Sequence, residues 1–157
     1  MNNFPDIPSP DSGDLFSVSN TSPVDIPVKK SEFLKLLDLV QSQENIVFKE
    51  VELVFVDEDE IRRINNEFLK HDYVTDIITF HYDEDDMGNE IEATLYCCAP
   101  RIVEQSSEHG ASVKSEFLRV FVHGLIHLAG YDDQSDEEKS QMRQMEDNYL
   151  EKLTTDS

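Results

Sequence analysis

The stretch Phe117-Leu-Arg-Val-Phe-Val-His123-Gly-Leu-Ile-His127-Leu-Ala-Gly130-Tyr-Asp-Asp133 decides how this chain is read. Its apolar residues recur at helical spacing up to Ala129; Ser112 or Ser115 can open the helix, and Gly130 stops it. Side chains four apart project from one helix face, so His123 and His127 offer imidazole nitrogens to a single ion. A glycine just past a helix end adopts the left-handed conformation without steric penalty and turns the chain back across that end. Tyr131, Asp132 and Asp133 then return toward the histidines. Asp133 is assigned as the third ligand, with Asp132 as the alternative. Two imidazoles and a carboxylate leave a fourth position open for water, the arrangement of a catalytic zinc site.

The competing reading makes the two histidines ordinary core residues among Phe121, Val122, Leu125, Ile126 and Leu128. It requires hydrogen-bond partners for every ring nitrogen in an apolar setting, which is costly unless all are found. In zinc peptidases of the His-Glu-x-x-His class the general base directly follows the first histidine. Here that position is Gly124, so either another group activates water or the metal does so alone by lowering its pKa.

Upstream of this helix, Pro100 suits the first turn of a helix closing near Gly110. Ile77 to Tyr82 and Ile91 to Cys98 read as paired strands joined by an acidic turn from Asp83 to Asn89. That turn lacks the spacing of a calcium-binding loop. Ile61, Ile64, Asn65 and Phe68 mark another helix, and Val47 to Phe55 a strand ending at Asp57. Ser31 is a candidate cap for a helix whose apolar face is Phe33, Leu34, Leu36, Leu37 and Val40. Leu15 to Ser19 alternate like a half-buried strand. A last helix from about Asp136 carries Met142, Met145, Tyr149 and Leu150. Strands interleaved with helices imply an α/β or α+β layer arrangement with a sheet of about four strands. Residues 1–13 read as a flexible tail and 14–157 as a single domain.

The formal charge is -21, with 34 acidic against 13 basic side chains, which excludes capture of nucleic acid by a generally basic surface. Cys97 and Cys98 are adjacent, cannot staple distant segments, and read as packing residues of a chain in a reducing compartment. With no signal-peptide pattern and no apolar run of ~20 residues, a cytoplasmic location is expected. Asp76 either accepts a hydrogen bond from a ligand imidazole and orients water, or serves turn chemistry with Thr75. His71, His81 and His109 have no ligand-like spacing and read as surface imidazoles.

The run from His123 to Asp133, followed by Met142 and Glu146, resembles the YbeY family of metal-dependent endoribonucleases. A second match is Thr75-Asp76-Ile-Ile-Thr-Phe80, with Asn65 in the helix before it. The resemblance implies a small α+β fold, a mixed four-stranded sheet flanked by helices. It also implies a zincin-like metallohydrolase with one zinc at the end of the central helix, held by His123, His127 and Asp133. The implied activity is single-strand-specific RNA cleavage in small-subunit ribosomal RNA 3′-end maturation and ribosome quality control, with ribosomal proteins as partners. Asp76 and the metal site would be the catalytic groups.

Three positions depart from the family pattern. Asp133 replaces a histidine, which lowers the charge of the site and its pull on water. Leu69 stands where the family has an arginine suited to clamp phosphate. Lys70 beside it is either a substitute phosphate contact or a solvated surface charge. Ala93-Thr94-Leu95 replaces a Gly-Asp-Ile strand entry, with an altered cleft floor as the expected consequence. These departures leave a catalytically weak ribosome-assembly binding factor with a structural zinc as the alternative function, and a zinc peptidase as a more distant one.

Overall fold

The computed structural model describes residues 15–82 and 90–155. The expected N-terminal tail and the Asp83–Asn89 turn lie outside them. The elements are β1 (Phe16–Asn20), α1 (Lys30–Glu44), β2 (Val47–Val56), α2 (Glu58–Leu69), β3 (Ile77–Tyr82), β4 (Glu90–Cys98), α3 (Ala99–Glu108), α4 (Val113–Leu128) and α5 (Asp136–Thr155). The sheet is mixed, in the order β1-β2-β4-β3: β1 and β4 flank β2 in parallel, and β3 runs antiparallel to β4. The architecture is α+β, as the helix and strand patterning implies.

Side-chain alternation assigns the two sheet faces. Along β2 the buried positions pass from Phe48 to Val51, Leu53 and Phe55, and the change of phase falls at a register shift between Phe48 and Glu50. Those residues, with Ala93, Leu95 and Cys97 of β4, meet α1, α4 and α5 in the main core. Aromatic rings tie that layer together: Phe33 meets Phe121 edge-on with centroids 4.9 Å apart, and Phe55 meets Phe117 at 5.5 Å. On the opposite face Ile61 and Ile64 of α2 cover Val56, Ile78 and Cys98. Both cysteines are buried and free, and burial pushes the Cys98 thiol up to about 11, as packing residues require.

At Gly124, α4 packs tightly on the sheet. A Cβ at that position would lie 2.6 Å from Leu95 Cδ2 and 2.8 Å from Ile77 Cδ1, inside van der Waals contact. The residue that sets this chain apart from a His-Glu-x-x-His peptidase is thus also the one that lets the histidine helix lie flat on β3 and β4.

The expected cap of α4 is present, and that of α1 is not. Ser112 caps α4 by accepting the Ser115 N–H at 3.1 Å, and Asp57 caps α2 by accepting that of Glu60 at 2.9 Å. Helix α1, however, begins one residue before Ser31. Its cap is Lys29, whose N–H donates to Glu32 Oε1 at 2.9 Å. A glutamate at the third helical position supplies the carboxylate half of a capping box, which leaves Ser31 no capping role.

Candidate active site

Helix α4 ends at Leu128, and Gly130 at φ +112° turns the chain back over the helix end. A reciprocal pair then fixes the next turn: Ser135 Oγ accepts the Glu138 N–H at 3.1 Å, and Glu138 Oε1 accepts that of Ser135 at 3.0 Å. Between these two fixed points Asp133 returns to the histidine face, as the sequence implied. His123, His127, Gly124 and Asp133 line one small cleft whose floor is Ile77 and Thr79 of β3. Asp132 is not among its lining residues.

Each imidazole is held at Nδ1. His123 Nδ1 lies 2.7 Å from Glu146 Oε2 on α5, and His127 Nδ1 lies 3.0 Å from the Tyr131 carbonyl oxygen. With Nδ1–H donated to these acceptors, each ring presents the bare lone pair of Nε2, the form in which a metal-ligating histidine is oriented by an outer partner. His123 Nε2 stands 3.5 Å from Asp133 Oδ2. That is longer than the ~2.7–3.2 Å of an N–H···O hydrogen bond. It matches the roughly 3.4 Å that separates two tetrahedral ligands each about 2.1 Å from one zinc. Two imidazoles and a carboxylate are a donor set suited to zinc, and the chemistry of these residues fits such an ion. Among the described residues, no three His, Cys, Asp or Glu side chains are already gathered into a finished ligand set.

The supports of the site are extensive. Glu146 is buried and also accepts from Arg119 at 2.8 Å, while Asp147 takes the other arm of that guanidinium at 2.6 Å. Tyr131 OH donates to Glu44 at the end of α1 at 2.9 Å, so the carbonyl that orients His127 belongs to a residue anchored at both ends. The hydrogen bond to Glu146 raises the His123 pKa, burial opposes the rise, and the Glu146, Asp133 and Asp76 charges add to it.

Asp76 shares the larger cleft beside His123 and Asp133. Its Oδ2 accepts from Gln105 Nε2 at 3.1 Å, and its carbonyl oxygen accepts the Cys98 N–H at 2.9 Å. Burial raises its pKa, with the His123 charge acting in the other direction. Lys70 closes α2 in the left-handed conformation and lines neither cleft. Leu69 is exposed. Thr94 does not form a cleft floor. Leu95 faces α4 at Gly124, so Thr94 points to the opposite face of the sheet, where its hydroxyl donates to Glu52 Oε1 at 3.3 Å. Within the third departure, Thr94 therefore changes the far side of the sheet, while Ala93 and Leu95 lie in the main core, Leu95 against Gly124. His71, His81 and His109 are all exposed, as expected, and His109 also meets the buried carboxylate of Glu116 at 3.1 Å.

Sequence reasoning assigned no role to Glu146, Arg119, Gln105 or the Tyr131 carbonyl. Glu146 alone left a trace, as the residue that with Met142 follows the His123–Asp133 run in the family resemblance.

Fold and cleft together define a small α+β protein with a polar cleft built at the end of a sheet-packed helix. A family model described as Endoribonuclease YbeY matches residues 17–154. The chain belongs to that family. Among curated relatives, an Endoribonuclease YbeY of Chlorobium phaeobacteroides strain BS1 is 40% identical over 134 residues, covering 85% of this chain and 94% of the relative. One of Chlorobaculum tepidum is 39% identical over 119 residues, covering 76% and 85%. The solution structure of TM1509 from Thermotoga maritima is similar with a TM-score of 0.57 at 28% identity, covering 90% of each chain. No described helix is long and apolar enough to cross a membrane.

Proposed function

We propose that this chain is a zinc-dependent, single-strand-specific endoribonuclease of the cytoplasm. Its work is small-subunit ribosomal RNA 3′-end maturation and ribosome quality control, in company with ribosomal proteins and carried by one zincin-like domain over 14–157. The observation that carries the reading is the pair of imidazoles held at Nδ1 beside Asp133, with the 3.5 Å approach of Asp133 to His123 Nε2. Membership of a family named for endoribonuclease activity supports RNA as the substrate.

His123 Nε2, His127 Nε2 and the Asp133 carboxylate would hold one zinc, which when bound supplies Lewis-acid polarisation of a phosphoryl oxygen and acidifies water. The protein's own groups do the rest. Glu146 keeps the His123 proton on Nδ1 and so keeps Nε2 free of hydrogen, and the Tyr131 carbonyl does the same for His127. Asp76, whose proton affinity is raised by burial, is suited to take a proton from the attacking water, with Gln105 holding Oδ2 in place. Ile77, Val120 and Met142 line the clefts with apolar side chains.

Incubation of the purified chain with a single-stranded and a duplex ribosomal RNA fragment, with and without chelator, tests this reading. Cleavage of the single strand alone, abolished by chelator and restored by zinc, is the expected result. Intact RNA at every metal concentration, with retained binding to ribosomal proteins, would favour the assembly-factor reading, for which the exposed Leu69 in place of a guanidinium is the supporting observation.

A further inference from the structure

Helix α5 brings a second set of charges to the cleft. Lys139 and Arg143 line it together with His123, Asp133 and Asp76. They are exposed and four residues apart, a like-charge spacing that is unfavourable on a helix face. The carboxylates at ion-pairing distance along the helix from Arg143 are Glu146 and Asp147, and both are turned onto Arg119, at 2.8 and 2.6 Å. Arg62, Arg63, Arg101 and Arg119 all have carboxylate partners. Among the described residues Arg143 has none, and Lys139 makes no ion pair with Asp136 three residues before it. In a chain with 34 acidic side chains, a guanidinium left open on the rim of the polar cleft stands out. A substrate that is itself a polyanion must find its cation locally here, and a planar guanidinium fork matches two oxygens of one phosphate.

We propose that Arg143, with Lys139 beside it, is the phosphate-binding group of this cleft and takes the non-bridging oxygens of a phosphodiester in single-stranded RNA. The phosphate contact that Leu69 cannot make is thereby supplied by α5 rather than by the end of α2. This inference rests on the ribonuclease reading of the same site.

The test measures binding of a short 2′-O-methyl oligouridine to the full chain as purified, by fluorescence anisotropy across a salt series, and cleavage of the unmodified oligouridine in parallel. Arg143→Gln is expected to weaken binding about tenfold and to reduce the salt slope by about 0.7, the loss of one single-strand phosphate contact. Arg143→Lys recovers part of the affinity. Lys139→Gln has a smaller effect, and Lys114→Gln, an equal charge loss at the far end of α4, has none. The oligonucleotide is not displaced by inorganic phosphate at equal phosphate concentration. The proposal is overturned if Arg143→Gln matches Lys114→Gln in affinity and slope, if Lys70→Gln carries the loss instead, or if equimolar phosphate displaces the RNA. Binding through Arg143 without cleavage by the wild type leaves this inference standing and removes the nuclease reading. Cleavage with KM unchanged in Arg143→Gln does the reverse.

Discussion

Two regions of the molecule are built differently: the cleft against α4 and α5, and the stretch from α2 to β3 on the other face of the sheet. On the side of α4 and α5, each ring nitrogen that faces the protein has a named partner: Glu146 holds His123, Arg119 holds Glu146, and the Tyr131 carbonyl holds His127. On the side of α2, the stretch that leads to β3 exposes Phe68, Leu69 and Tyr73, and the lysine that ends the helix lines neither cleft. A network of satisfied hydrogen bonds pins side chains to one geometry, which catalysis needs, whereas an exposed segment tolerates exchange of its residues. The loss of an arginine at position 69 is a change on the tolerant side. The pinned side keeps its support.

The largest effects should come from the pinned side. Asp133→Ala and His127→Ala are each expected to lose bound metal and to cut RNA cleavage by more than ~100-fold, beyond what loss of an outer hydrogen-bond partner costs; metal analysis with an initial-rate assay reads both. Glu146→Ala removes the acceptor of His123 Nδ1 and one of two from Arg119. Metal affinity should fall by roughly 10–100-fold in a chelator competition, with stability down by about 2 kcal/mol because Arg119 retains Asp147.

Gly124→Ala separates close packing from helix propensity. Alanine in a helix interior ordinarily stabilises by about 1 kcal/mol relative to glycine. Here the added methyl meets the side-chain ends of Leu95 and Ile77, at an overpacking cost of about 1–3 kcal/mol, so denaturant unfolding should show a net loss of up to about 2 kcal/mol in place of the usual gain. On the tolerant side, Leu69→Arg is expected to leave stability unchanged and to raise RNA affinity only by about two- to fivefold, the range of an exposed charge contact.

The smallest effect concerns Glu32, which is held below its ordinary pKa chiefly by Lys114 and by the Lys29 backbone N–H. A lowered folded-state value means that its contribution is present above the unfolded pKa and lost as pH falls through the folded one. Glu32→Gln should therefore cost about 1 kcal/mol at neutral pH and nothing in acid well below the folded value, as read by urea melts at the two pH values.

What could be read from the sequence was what is local. The i, i+4 histidines, the stop at Gly130 and the return to Asp133 all lie within eleven consecutive residues, and each follows from helix geometry and one glycine. The layer class followed from the succession of periodic segments. The insertion of β4 between β2 and β3 did not, because strand order is settled by long-range pairing that no local pattern encodes. The same limit hid the supports of the site. Glu146 lies 23 residues from His123 and Gln105 lies 29 from Asp76, and only the packing of α5 on α4 and of α3 behind the sheet edge brings them together. Thr94 was misplaced because one residue along a strand exchanges one sheet face for the other. At Ser31, two local signals competed, and the glutamate that follows it decided where α1 begins.

The nuclease reading depends on whether His123, His127 and Asp133 act together on one ion. Metal content per chain, measured side by side on the purified protein and on Asp133→Ala after identical dialysis, addresses that directly. About one zinc per chain in the wild type and close to none in the variant is the expected result. Metal-free wild type that unfolds no more easily after chelation, or a variant that retains its zinc, would contradict it.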